Sequence, residues 1–323
     1  MADIMKALNE ASNSSGAYVV PTEFSNRLLA LVQAKAVFYP DLDVRQMGSL
    51  TRYIPKVTSG TTARWPDELG TITASQPGFG RITLTAKKVA ALTEVSTELL
   101  EDNNVNVATE LVEQMGLDIA NAIDSEIANG GTYASSTSSH FVGLRETSSM
   151  NNAVDALGNT GMTQADGTDG TLTGDQITIA APRAAIYEVL GDNHDQPDVS
   201  YWNPKVVGQL QALTDSTTRP VLNMETYGSP LLRDGVTATL MGTKVKTTTQ
   251  LPTNLNYKSA TANASDAIIA KSKMFGILGE RRGFIWKTDY DINTDVNKYQ
   301  TTMRLAFAIK YANAYCLIRG IID

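Results

Sequence analysis

Serine, histidine and cysteine are the residues on which nucleophilic or acid–base chemistry would have to rest, and this chain holds two histidines, His140 and His194, and one cysteine, Cys316. Ser138 and Ser139 directly precede His140, so hydroxyl nucleophiles and an imidazole base stand side by side. The context such a pair needs is missing: there is no Gly-x-Ser-x-Gly elbow and no strand–turn–helix pattern around it. Both histidines fall in polar stretches beside Ser or Asp, which reads as solvated loop. Asp166-Gly167-Thr168-Asp169-Gly170 resembles part of a calcium loop but lacks the alternating carboxylates and closing Glu, so it reads as a polar turn. Gly276, Gly279 and Gly283 do not make Gly-x-Gly-x-x-Gly, and no Walker lysine loop is present. Arg281-Arg282 reads as exposed charge in a turn, and Glu94, Glu98 and Glu101 as solvated or interface ion-pairing groups rather than an acid–base set. Cys316 has no second cysteine for a disulfide or a metal pair and reads as a small buried apolar residue. The sequence thus assigns no catalytic, cofactor-binding or metal-ligating residue.

The elements that would position these residues are clearer than the chemistry. Met1 to Ala17 is polar and Asn/Ser-rich, the composition of an arm ordered by contact with something else. Phe24, Leu28, Leu31 and Val32 recur at helical spacing after Pro21, predicting a short amphipathic helix over Thr22–Ala36. Leu50–Val95 predicts a long hairpin: Tyr53, Ile54 and Val57 on one side and Ile82, Leu84, Val89 and Leu92 on the other flank a tip rich in Gly, Thr and Pro. An arm of about 15 residues reaches roughly 50 Å, whereas a compact globule of this length has a radius of gyration of only about 20 Å. Such a hairpin protrudes, and a two-stranded ribbon needs another surface to lie on.

Val107, Leu111, Val112, Met115, Ile119, Ile123 and Ile127 form one helical stripe, with Glu110, Glu113, Asp118 and Asp124 mostly on other faces. They predict a helix of about six turns over Val107–Ala128, with Asn103, Asn104 and Asn106 as N-cap candidates and Gly130-Gly131 ending it. Gly130–Gly174 reads as surface loops. Thr173-Gly174-Asp175-Gln176 fits a capping box, with Pro182 kinking or restarting the helix it opens. Asn203-Pro204 is a cap with Pro at the first helical position. Leu240–Thr247 reads as a strand, as do Ile268-Ile269, Phe275–Leu278 and Phe284–Trp286, the last two joined by a Glu280-Arg281-Arg282-Gly283 turn. After a polar loop, Leu305, Phe307, Ile309 and Tyr311 alternate with period two. The fold class implied is α+β.

Charged residues are 19% and hydrophobic ones 42% of the chain, which excludes both a disordered acidic tail and a membrane-spanning protein. A net charge of −7 argues against gripping phosphate backbones, which takes clustered Lys and Arg. The opening Met1-Ala2-Asp3-Ile4 does not read as a secretory signal, so synthesis and assembly in a cytoplasm are expected.

Taken in order, these segments resemble the major capsid protein family of tailed double-stranded DNA phages, whose fold is shared with encapsulins and herpesvirus capsid floors. The segment from Ser14 to Val32 resembles the family's opening Gly, apolar-Pro step and short helix. Thr51-Arg52-Tyr53-Ile54-Pro55 is similar to the start of its extended loop, Ala63-Arg64-Trp65-Pro66-Asp67-Glu68 to the tip, Phe79–Leu100 to the returning strand, and Val107–Asn129 to its long spine helix. Tyr201-Trp202-Asn203-Pro204, Arg219-Pro220-Val221, Leu240–Val245 and Leu251-Pro252 resemble its apical sequence, and Ala267–Ile269, Phe275-Gly276-Ile277 and Arg304–Lys310 its closing sheet. Each motif is common by itself; their order and spacing are specific.

The resemblance implies an N-terminal arm and short helix (1–47), an extended loop (48–95), a peripheral domain with spine helix and β-sheet (96–135 and 272–323) and an apical domain (136–271). It implies a non-enzymatic subunit without cofactor or metal, assembling with itself through hexamers and pentamers into an icosahedral shell. That shell would enclose double-stranded DNA without sequence-specific binding and without a membrane. Expected partners are a portal protein and, because only about a dozen residues precede the Gly16 motif, either a separate scaffolding protein or none; the presence of decoration proteins is left open. The alternative within the fold is an encapsulin-like nanocompartment shell. Some relatives crosslink a loop Lys to a neighbour's Asn through a Glu; the span Thr58–Gly80 contains no Lys, so no such link is expected here.

Overall fold

The structure, a computed structural model, describes residues 36–65, 68, 70–102, 107–130, 140–145, 153–160, 175–193, 195–214, 220, 222–224, 236–257 and 260–322. The expected N-terminal arm, the short helix before Ala36, the cap candidates Asn103, Asn104 and Asn106, Ser138, Ser139, the Asp166–Gly170 turn and His194 lie outside the described residues. The described elements mix helix and sheet, as α+β implies.

Helix α1 (Thr97–Asp102) leads into α2 (Val107–Asn129), the long helix that the apolar stripe predicts. Met115, Ile119, Ile123 and Ile127 are buried and share a core with Phe284, Trp286, Met303, Leu305 and Phe307. Each such side chain removed from water contributes roughly 1.5–3 kcal/mol. Gly130 ends the helix in a left-handed conformation, φ 63°. A Cβ there would stand 2.6 Å from the Gly143 backbone nitrogen. That close approach lets the Leu144 and Arg145 N–H groups donate to the Ile127 and Ala128 carbonyls at 2.9 and 3.0 Å, satisfying acceptors the last helical turn leaves open.

The core under α2 is closed by a four-stranded sheet in the order β1 (Asp43–Gln46), β12 (Gly276–Asp291), β13 (Val296–Ile309), β4 (Lys87–Ser96). β1 runs parallel to β12, and the other pairs are antiparallel. The expected Glu280–Gly283 turn is not a turn: β12 continues through it, with register shifts between Glu280 and Arg282 and between Arg282 and Ile285. A bulge absorbs the glycine and the two arginines without breaking the ladder. The period-two pattern of Leu305 to Ile309 is real, although Ala306 is as buried as Leu305. Both sheet faces are covered at this end, one by the α2 core and the other by the base of the hairpin.

The hairpin itself is β2 (Thr51–Ser59) against β3 (Gly78–Thr85), antiparallel from Thr51↔Thr85 to Ser59↔Gly78. It is shorter than the pattern predicts. Val89 and Leu92 belong to β4, because after Ala86 the chain turns into the four-stranded sheet and pairs with β13 from Lys87↔Leu305 to Ser96↔Val296.

A second sheet has the order β5 (Ala153–Asp155), β14 (Tyr315–Ile322), β11 (Ala260–Ala270), β6 (Val199–Trp202), β9 (Thr243–Thr247), β8 (Val236–Leu240), β7 (Leu222–Met224), with β10 (Leu255–Tyr257) also on β11. Its core takes Ala181, Ala185 and Val189 from α3 (Ala180–Asn193) and Val206, Val207 and Leu210 from α4 (Pro204–Ala212). The segments read as one closing sheet are therefore divided: Ile268 and Ile269 stand here, Phe275 and Ile277 on the other side of the chain reversal. Ala153–Asp155, within a stretch read as surface loops, is a buried strand parallel to β14. Leu240–Thr247 is two strands rather than one, since Met241 and Gly242 both take positive φ (49° and 88°), the geometry of a tight hairpin turn. Asn203 caps α4, its side chain accepting from the Lys205 N–H at 3.0 Å with Pro204 next in line. Thr173 and Gly174 of the expected capping box lie outside the described residues; the Asp175 N–H donates to the Gly320 carbonyl and its carbonyl accepts from the Ile322 N–H, so its backbone pairs with β14, and the helix starts at Ala180 with Pro182 in its first turn.

Candidate functional site

What the fold presents outward is apolar surface. Along the hairpin, Ile54, Ile82 and Leu84 are buried at the base with Met47, Ala86, Ile277 and Ala306. Beyond the base Tyr53 is 59%, Val57 54% and Phe79 73% exposed, and at the tip Trp65 is fully exposed. Arg81 lies over the Tyr53 ring at 4.8 Å, which holds one aromatic in place without covering it. Large exposed side chains grouped on one arm mark a contact surface rather than scattered surface residues.

Of the residues that could have done chemistry, those within the described residues lie away from the hairpin tip, and most have structural partners. His140 Nδ1 lies 3.1 Å from the Glu126 carboxylate of α2, and the Phe141 N–H donates to the same carboxylate at 2.6 Å. Lys87 Nζ donates to the His140 carbonyl. These groups line a groove of about 210 Å³ between α2 and β4, with Lys88, Ala122 and Ile123. The arrangement ties residues 140–145 to the end of α2. Glu94 pairs with Lys298 at 3.6 Å, Glu98 is exposed on α1, and Arg282 donates to the Thr302 hydroxyl at 3.0 Å. Cys316 is buried in the second core, and burial pushes its thiol far up, as suits an inert apolar residue. Among the described residues no group of three His, Cys, Asp or Glu is placed to hold a metal, and no helix is long and apolar enough to cross a membrane.

The sequence does not reveal the polar joints that lock the two sheets and α2 together. Tyr201 of β6 donates to Asp41 Oδ2 at 2.5 Å, and Lys246 of β9 reaches the same oxygen at 2.7 Å. Asp124, read as lying off the apolar stripe of α2, is instead buried at its edge. There its carboxylate accepts the Val37 N–H at 2.6 Å and the Phe38 N–H at 3.2 Å. Burial raises its pKa to about 6, against the pull of those two N–H groups and of Lys246. Glu280, also raised by burial, accepts from the Tyr39 hydroxyl and the Gln46 amide. Arg145 and Asp266 form a buried pair, Nη2 to Oδ2 at 2.8 Å, with Asn129 accepting from the same guanidinium. The one available signal was a charge within a run of buried positions, as Asp266 is between Ala264 and Ile268. These joints fix residues 36–46 across both cores, so the hairpin leaves a rigid base.

A sequence profile described as the phage capsid family matches residues 16–320. A comparison with curated proteins finds no match. Among solved structures, a chain of Mycobacterium phage Adephagia is similar, with TM-score 0.62 and 15% identity, covering 100% of this chain and 97% of that one. A chain of the capsid of a native GTA particle is similar at TM-score 0.62 and 14% identity, covering 97% and 96%. A chain of Microbacterium phage Oxtober96 is similar at TM-score 0.62 and 13% identity, covering 100% and 98%. At such identities the likeness is one of fold, and it extends over the whole length of each partner.

Proposed function

Because this chain belongs to the phage capsid family, we propose that it is the major capsid protein of a tailed double-stranded DNA phage, building an icosahedral shell from hexamers and pentamers of itself. The observation that carries the reading beyond family membership is the hairpin. It spends sequence on Tyr53, Val57, Trp65 and Phe79 and leaves them in water, which is costly unless another molecule covers them. In a closed assembly that molecule is the next copy.

In this reading 96–135 and 272–323 form the peripheral domain, 136–271 the apical domain at ring centres, 48–95 the extended loop and 1–47 the arm and short helix. The last strand, Tyr315–Ile322, pairs into the sheet of the apical segment and ties the two together. The shell encloses DNA without reading it, in keeping with a net charge of −7. A separate scaffolding protein, a portal protein and decoration proteins are the proposed partners, the host cytoplasm the place of assembly and the virion the final location. The subunits are held without covalent links. The lysines that flank the lysine-free tip stand away from it, Lys56 mid-strand on β2 and Lys87 and Lys88 on β4. Many modest contacts repeated over the shell supply the strength instead.

Negative-stain microscopy of the expressed chain, alone and with scaffolding protein, tests the proposal. Closed shells of uniform size are expected, and on a boiled, reduced gel they should run as one band near 34.8 kDa. Only unassembled chain under both conditions would overturn the shell; a ladder of multimers would overturn the non-covalent part alone.

A further inference from the structure

Strand alternation sorts the side chains of the four-stranded sheet between its two faces. Met303, Leu305 and Trp286 face the α2 core, and Ala86 and Ala306 face the hairpin base on the other side. Lys88 and Arg304 stand two residues from those alanines, so they share the outer face, beyond the hairpin's cover. Register sets Lys88, Arg304 and Arg282 directly opposite one another on β4, β13 and β12. Cα atoms paired across such a ladder stand roughly 4.5–5.5 Å apart, so three cations form one row. Lys287, opposite Gln300, extends the same face, and the bulge adds Arg281 next to Arg282.

Like charges directly opposite one another cost stability, and the sheet neutralises its other cations. Lys298 bridges Asp291 at 2.9 Å and Glu94 at 3.6 Å, while Arg45 and Lys310 reach Asp43 at 2.9 and 3.5 Å. The row has no such acid. Segments 87–93, 281–288 and 299–309 hold six Lys and Arg and no Asp or Glu. Among the described residues, no carboxylate lies within ion-pair reach of Lys88, Arg281, Arg282, Lys287 or Arg304. The Nε groups of Arg281 and Arg304 are enclosed without an acceptor. Arg282 Nη2 donates to Thr302 Oγ1 at 3.0 Å, which places a hydroxyl in the same row of polar groups.

We infer that this row binds a phosphate-type oxyanion. Arg282 and Arg304 offer the planar, multiple N–H groups that suit such oxygens, Lys88 adds a point charge, and Thr302 supplies a hydroxyl donor. A bound anion relieves the repulsion within the row, so ligand and fold stabilise each other. The net charge of −7 does not oppose this, because the local field of a patch governs which ions collect there. Phosphate reaches the site either as the free ion or as the backbone of a nucleic acid, and both present the same oxygens. The inference goes beyond the shell reading and does not depend on it.

Thermal unfolding of the unassembled full chain at fixed ionic strength tests it. Replacing chloride with inorganic phosphate should raise the parent's midpoint by about 2–4 °C. Arg282→Gln with Arg304→Gln should lose that shift and, relieved of repulsion, should have a chloride midpoint no lower than the parent's. Lys205→Gln with Lys244→Gln removes the same charge from exposed lysines of α4 and β9 and should keep the shift. Should the arginine variant fail to fold, Lys88→Gln, at an exposed position, should still show a smaller phosphate shift than the parent. Anisotropy of a short DNA duplex is the second arm. Duplex binding lost in the arginine variant and kept in the lysine variant assigns the nucleic-acid backbone as the source; a phosphate shift without duplex binding assigns the free ion. The site is overturned if the parent responds to neither, if a response survives in the arginine variant, or if only a polyglutamate peptide binds. Neither arm reads assembly, so any of these failures leaves the proposed shell untouched.

Discussion

The α2 helix and the β2–β3 hairpin use similar amounts of apolar side chain to opposite ends. On α2, Met115, Ile119, Ile123 and Ile127 are covered by β12 and β13 of the same chain. On the hairpin only the base is covered, and the outer residues face solvent. The first region has its stability within the subunit; the second must draw it from a neighbour, because two strands alone bury too little to be stable.

Ile119→Asp should break the α2 side of the comparison most severely. A carboxylate set in the core with Met115 and Ile123 would be buried among apolar side chains, and its desolvation costs several kcal/mol. Loss of soluble, folded subunit in expression and circular dichroism is the expected outcome; normal folding would mean that the buried face is wrongly placed.

A smaller effect belongs to Asp124. Its folded pKa of about 6 lies above the ordinary aspartate value of 3.8, so protonation favours the folded state. The contribution is fully present below pH 3.8 and is lost as pH rises through about 6, on the order of 3 kcal/mol in all. Urea midpoints of the unassembled chain compared with Asp124→Asn should differ in slope between pH 4 and 7, the parent losing stability with rising pH relative to the variant. Parallel curves would show that Asp124 does not titrate in that window.

The smallest effect on folding should come from Trp65→Ala. A fully exposed side chain leaves no cavity, so the unfolding midpoint should move by no more than about 0.5 kcal/mol, while shell yield falls. Hydrogen exchange sharpens the same contrast. Amides of Thr51–Thr85 should exchange quickly in the unassembled chain and slowly in shells, with α2 protected in both. Equal protection of the hairpin in both states would remove the distinction between the regions.

Local periodicity made α2, the hairpin and the Asn203-Pro204 cap legible, because each is specified by residues within one element: an apolar stripe at helical spacing, alternation around a Gly-rich tip, a side-chain oxygen one residue before a proline. The same logic misread Glu280–Gly283, where cross-strand pairing carried the chain through a bulge, and Asp175, whose backbone was taken by β14. For chemistry the sequence offered few groups, two histidines and one cysteine among them. What the residues alone determined was therefore the kind of molecule: an α+β subunit with a long core helix and a protruding apolar arm. Tertiary structure decided which charges are buried and what they pair with. Asp124, Asp41 and Lys246 are far apart in the chain. Their meeting depends on sheet register and close packing, which no local pattern encodes.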